Sequence, residues 1–196
     1  MDRIATSIRL AAADHGLAVP SYAAASGVIG LGLKECIDQL FPGLADSDAE
    51  QFAALYSSRF KQQDIIPCAF FPGVLETLRD LRQGAYFLAV ATGKSRSGLD
   101  RVLAATGLFE FFDGSRCADE TLSKPHPLML EELLSQFEVR PSDAIMVGDT
   151  EFDLEMARNA NIPAIAVSYG AHHLDRLLKY KPIASLDSFQ DIKKYL

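Results

Sequence analysis

Ala144-Ile145-Met146-Val147-Gly148-Asp149-Thr150-Glu151-Phe152-Asp153 decides the fold. Its first four residues are an apolar run of strand length. Gly148 and Asp149 close the run, and a helical pattern takes over to about residue 161. A continuous apolar strand that passes straight into a helix belongs to a parallel sheet covered on both faces. Asp149 sits at the carboxyl end of this strand and Asp153 on the first turn of the helix, so both carboxylates point into one crevice. Acids gathered there are costly unless a cation balances them, and their hard oxygens suit Mg²⁺. A helix dipole that favours acids at its start accounts for Glu151 or Asp153 as well, but not for a glycine and an aspartate ending an apolar strand.

The same alternation extends in both directions. Upstream, Pro72-Gly73 opens a helix over residues 74–82, and Gly84 ends it before an apolar run over 86–92. A helix over about 97–106, a short strand near 114–117 and a helix over 127–137 follow. Downstream come a strand over 163–167 and a last strand and helix near 183–184 and 189–196. Strands alternating with helices of this length predict an α/β, doubly wound parallel sheet over residues 71–196.

The pattern before Pro67 is different. Ile4, Ile8, Ala11 and Ala12 recur at helical spacing until His15-Gly16, a second helix starts near Ser21, and glycines between 27 and 32 form a break. A third helix covers 34–40. Asp46-Ser47-Asp48 then caps a helix over 49–62, whose stripe of Phe52, Leu55, Tyr56 and Phe60 is read as core packing. Residues 1–70 therefore form an all-helical segment ahead of the α/β body.

Composition narrows the function. The 196 residues carry a net charge of −7, and their 19 Lys and Arg form no block able to follow a nucleic-acid backbone. No apolar run reaches the roughly 18 residues of a membrane span, and the N-terminus lacks a secretory core, so a soluble cytoplasmic protein is expected. Cys36, Cys68 and Cys117 are odd in number and form no metal-binding spacing, and they are expected to be reduced packing residues. Oligomeric state is not legible.

Ligands of open parallel sheets bind at the carboxyl ends of the strands. Thr92-Gly93-Lys94-Ser95 follows the strand over 86–92, and its hydroxyl and turn amides can hold phosphate oxygens. The Gly-Lys-Ser triplet imitates a P-loop, but Leu88 stands where that motif needs its first glycine. Ser123-Lys124-Pro125-His126-Pro127 fixes Lys124 between prolines, where an ammonium can offset phosphate charge. Thr92, Lys124, Asp149 and Asp153 make a phosphate-and-magnesium site without a group that attacks phosphorus.

In order and context these pieces resemble the haloacid dehalogenase superfamily, in its phosphoglycolate-phosphatase-like branch with a helical cap after the first strand. The longer strings Ala91-Thr92-Gly93-Lys94-Ser95-Arg96 and Ala118-Asp119-Glu120-Thr121-Leu122-Ser123-Lys124-Pro125-His126-Pro127 carry the likeness. The resemblance implies a magnesium-dependent phosphatase acting on a small phosphorylated metabolite through an aspartyl-phosphate. It gives Thr92 and Lys124 catalytic roles and has Thr92, Gly93 and Lys124 bind phosphate. Asp149 and Asp153 serve the metal, Asp153 through water or by holding Lys124. Gly30 and Lys34 lie in the cap region that reads the rest of the substrate, and Pro72-Gly73 marks the return to the core.

The family's nucleophile lies in a D-x-D-G-T motif that occurs nowhere in these residues; the nearest string, Asp113-Gly114-Ser115, has Phe at 111. The resemblance therefore implies a further first strand of about 15–20 residues with its loop, whose absence leaves apolar flanks and unpaired backbone on its neighbours and the chain as written inactive. A non-catalytic phosphate- or magnesium-binding protein is the alternative. Mutase and dehalogenase chemistry stay open within the superfamily. A signalling receiver domain shares the residue types but orders its acids before its threonine and lysine.

Overall fold

The computed structural model describes residues 2–63, 69–84 and 86–196. Four helices come first: α1 (Asp2–His15), α2 (Tyr22–Gly27), α3 (Leu33–Leu40) and α4 (Asp46–Gln63). Apolar spacing explains how they meet. α1 turns Ala5, Ile8, Ala11 and Ala12 inward, and those small residues let α4 approach closely enough to seat Phe52, which is 1% exposed. Burying a ring of that size stabilises the helical layer by roughly 2–3 kcal/mol. Ser21 caps α2 by accepting the Ala24 amide. The cluster also takes in Phe152, so the helical layer and the α/β body share apolar contacts.

From residue 74 the chain alternates as the sequence predicts: α5 (Val74–Gln83), β1 (Ala89–Thr92), α6 (Arg96–Thr106), β2 (Gly114–Cys117), α7 (Leu128–Phe137), β3 (Met146–Gly148), α8 (Glu151–Asn159), β4 (Ala164–Val167), α9 (Leu174–Leu177) and β5 (Ala184–Leu186). The ladders are parallel, with Thr92 opposite Cys117, Gly148 opposite Ala166 and Val167 opposite Leu186. This is the expected α/β fold with helices covering parallel strands. Among the described residues the strands fall into two ladders, β1-β2 and β3-β4-β5, and no hydrogen-bonded pairing joins β1 to β3. α7 spans the two, since Met129 and Leu130 share one apolar cluster with Ala91 and Met146.

Three elements depart from expectation. The run over 86–92 pairs as a strand only from Ala89, because the Leu88 amide donates to the Asp113 carboxylate instead of a neighbouring carbonyl. The segment over 189–196, expected to be a regular helix, is a 3₁₀ turn, Phe189–Lys194. The short α9 carries no periodicity long enough to be found in the sequence. Among the described residues no helix is long and apolar enough to cross a membrane. Pro67 and Cys68, where the sequence changes pattern, lie outside the described residues.

Candidate active site

Thr92, Gly93, Lys124, Asp149 and Asp153 line one cavity of about 570 Å³ at the carboxyl ends of β1 and β3 and in the loop after β2. Thr92 ends β1, and its Oγ1 accepts the Lys94 amide at 3.2 Å, which leaves the hydroxyl hydrogen to donate elsewhere. The Gly93 amide makes no backbone hydrogen bond among the described residues. A hydroxyl and a free amide side by side are donors suited to phosphate oxygens.

Lys124 is 5% exposed, and its Nζ donates to Asp153 Oδ1 at 2.6 Å. The other oxygen of Asp153 accepts from the Asp149 amide (3.2 Å), the Thr150 amide (3.0 Å) and the Thr150 hydroxyl (2.8 Å). Burial pushes the Asp153 carboxyl up, but the Lys124 ammonium and the Thr150 donors outweigh it and hold the group below the usual carboxylate range. Asp153 is thus a charged anchor whose two oxygens are already engaged. Of the two roles expected for Asp153, through water to the metal or by holding Lys124, the second has its contact here. The spacing that announces it is the capping box Thr150-x-x-Asp153, in which each side chain bonds the other's backbone amide.

Asp149 is the opposite case. Its Oδ2 accepts the Ala171 amide at 2.9 Å, and its backbone carbonyl accepts the His172 amide at 3.0 Å. No hydrogen bond reaches Oδ1 among the described residues. Burial, and then the nearby charge of Asp153, raise its carboxyl above the ordinary value. A half-buried carboxylate with one open oxygen fits a divalent cation, and Mg²⁺ keeps most of its water while taking one or two protein carboxylates. No group of three or more His, Cys, Asp or Glu side chains gathers for a metal among the described residues. Asp149 is the lining residue that could hold such a cation.

The helical layer enters the site through residues 28–32. The Gly32 amide donates to the buried Ser123 hydroxyl at 2.9 Å, one residue from Lys124. Gly30 has φ of +111°, and a methyl added there would stand 2.7 Å from Thr150 Oγ1, so this position admits glycine alone. Gly30 thus lies at the site. Lys34 does not line the cavity: it pairs with Asp38 at 2.8 Å, with 82% of its side chain exposed. An i,i+4 partner on its own helix captures it. Sequence reasoning also passed over Ser123 and Ala171, which act through a hydroxyl and a backbone amide that no spacing marks.

Among the described residues no group lining the cavity is an activated nucleophile. Cys36 lines it, but burial pushes its thiol up to about 12, so it stays protonated at neutral pH. Among the described residues the carboxylates on the lining are Asp149 and Asp153.

In a parallel α/β body, one cavity thus brings together a threonine, a buried lysine and an acidic strand end. The family model described as "Haloacid dehalogenase-like hydrolase" matches residues 1–167, and the chain belongs to that family. Among curated relatives, a Dickeya dadantii protein described as "Probable phosphatase IndB" is 36% identical over 169 residues, covering 84% of this chain and 73% of that protein. A phosphoglycolate phosphatase of Vibrio vulnificus is 27% identical over 166 residues, 84% of this chain and 72% of that one. The crystal structure of a predicted phosphoglycolate phosphatase from Haemophilus somnus superposes with a TM-score of 0.84 at 25% identity, over 99% of this chain and 90% of that chain.

Proposed function

We propose that this chain carries the phosphate-binding and charge-balancing part of a magnesium-dependent phosphatase for small phosphomonoesters, working through an aspartyl-phosphate. The observation that carries the reading is the convergence of Thr92, Lys124 and Asp149 from three segments on one cavity. In this reading residues 1–70 act as a cap over a core of residues 71–196. Thr92 and the Gly93 amide orient the phosphoryl oxygens, and Lys124, fixed by Asp153, neutralises charge on the transferring group. Mg²⁺ on Asp149 would supply the Lewis acidity that stabilises charge on the phosphoryl oxygens.

The attacking carboxylate would arrive on a parallel strand lying between β1 and β3. Among the described residues those two strands share no ladder, and Val90, Ala91, Met146 and Val147 give the cavity apolar walls. The described chain alone is then expected to bind orthophosphate without turning over a phosphomonoester, which is also what the non-catalytic reading predicts. Joining a strand segment ending in D-x-D-G-T ahead of residue 2 separates the two. Mg²⁺-dependent release of phosphate from a broad phosphomonoester panel, lost on Asp149→Asn, supports the phosphatase. A folded fusion inactive on the whole panel leaves only binding.

A further inference from the structure

The loop after β4 grips Asp149. The Ala171 amide donates to its Oδ2 at 2.9 Å, the His172 amide donates to its backbone carbonyl at 3.0 Å, and a methyl added at Gly170 would overlap its side chain. Residues 169–171 are half-buried and belong to no helix or strand, so a side chain has to pin them. His172 supplies it. The residue is 3% exposed, and its Nδ1 accepts the amide of Glu151, the first residue of α8, at 3.2 Å. That bond satisfies one of the amides that a helix start leaves without a partner, and an accepting Nδ1 puts the ring proton of the neutral imidazole on Nε2.

The same ring faces the helical layer. It meets Phe152 edge-on, with centroids 5.6 Å apart and planes at 67°. Phe152 is the residue of α8 that is buried in the apolar cluster of the first four helices. Nε2 is buried and has no hydrogen-bond partner among the described residues. Burial, and then the charge of Arg176, favour the neutral ring, against Glu151, Asp153 and the Ser26 carbonyl of α2. The imidazole thus stands between the loop that holds Asp149 and the helices that cover it.

We infer that His172 is a positioning residue for Asp149: its imidazole pins residues 170–172 against the strand end, so that the open oxygen of Asp149 keeps one direction, and through Phe152 it ties that direction to the seating of the helical layer. The inference rests on the phosphatase reading above only for what Asp149 binds. A cation on Asp149 and a seated helical layer then favour the same state, and by linkage each strengthens the other. The family likeness gives His172 no such role, and no spacing in the sequence marks it.

Hydrogen exchange followed by NMR on the chain as it stands tests this in wild type, His172→Phe and His172→Asn. Phenylalanine keeps a flat ring beside Phe152 but accepts no hydrogen bond, whereas asparagine puts a carbonyl oxygen near the place of Nδ1. The Ala171 amide is expected to exchange about tenfold faster in His172→Phe and to stay within about threefold of wild type in His172→Asn. The Gly32 amide, which donates to Ser123 and reports the seating of the helical layer, should follow Ala171, while the amides of β4 stay unchanged. Thermal melts check folding; if His172→Phe does not fold, His172→Gln, whose polar group reaches past the place of Nδ1, takes its part. Unchanged Ala171 exchange without the acceptor, equal loss in the Asn variant, or a rise that extends to β4 overturns the inference. Faster exchange at Ala171 with Gly32 unmoved overturns the tie to the helical layer. Adding MgCl₂ to the same samples separates this from the reading of Asp149. A shift of the Asp149 Cγ signal in wild type that is lost in His172→Phe and kept in His172→Asn supports both. No shift in wild type, with the exchange pattern as expected, removes the cation from Asp149 and leaves His172 as its positioning residue.

Discussion

At Asp153 the arithmetic of buried charge is simple. Two ionised groups, 7% and 5% exposed at their side chains, sit 2.6 Å apart, and removing one leaves the other buried without a partner. Asp153→Ala is expected to destabilise the protein by about 3–5 kcal/mol in urea unfolding. Lys34→Ala, which removes a solvated pair, should stay within about 0.5 kcal/mol. The contrast separates Lys124, expected to bind phosphate, from Lys34, expected in the cap region that reads the rest of the substrate. Lys124 was legible through the prolines around it, and Asp149 through the apolar strand that it ends. Lys34 falls outside the cavity lining, and its partner, Asp38, is a local one that any exposed helix can supply. Asp153 was found in the right place, but the satisfaction of its oxygens depends on the geometry of Thr150.

Between elements, the loop that presents Lys124 is tied to the start of α6 by a two-point pair. Arg96 Nε donates to Glu120 Oε1 at 2.8 Å and Nη2 to Oε2 at 2.6 Å, and the Cys117 amide also donates to Glu120. The hydrogen bonds from Arg96 lead the effects that lower the Glu120 carboxyl to about 2, against an ordinary 4.5. Because the folded value is the lower one, the unfolded chain takes up the proton first as pH falls. The contribution is complete above about pH 4.5 and fades toward pH 2. With the side chain about one-third exposed, solvent screening limits it to about 1 kcal/mol. Glu120→Gln should therefore lower stability by about that amount at pH 7 and by nearly nothing at pH 2, as read by denaturant midpoints across pH. Strands and helices were legible at this scale wherever period and turn residues agreed, as in α7 and β4. The start of β1 was not, since residues 86–88 are apolar enough for a strand, but the Leu88 amide goes to the Asp113 carboxylate while its carbonyl accepts the Asp113 amide.

Over the whole molecule, protection is uneven. β4 is buried along its whole length and paired on both sides, whereas β1 and β3 each have a ladder on one side only among the described residues. Amide hydrogen exchange should find the slowest protons in β4, and those of β1 and β3 exchanging at least tenfold faster under native conditions, because smaller openings release them. Equal protection across all three strands would mean that the space between the ladders is filled in solution. The doubly wound class could be read from the alternation of elements, but the interruption in its middle is a property of pairing, and pairing leaves no mark on a single strand's composition.

That interruption also fixes how the protein would respond to tension. A pull directed from β2 toward β5 meets no rung of backbone bonds between β1 and β3 among the described residues, so the load passes to side chains such as Met129 and Leu130 of α7, which share an apolar cluster with Ala91 and Met146. Under an optical trap the body should part first along that line, as two stiff plates held by one greased clasp.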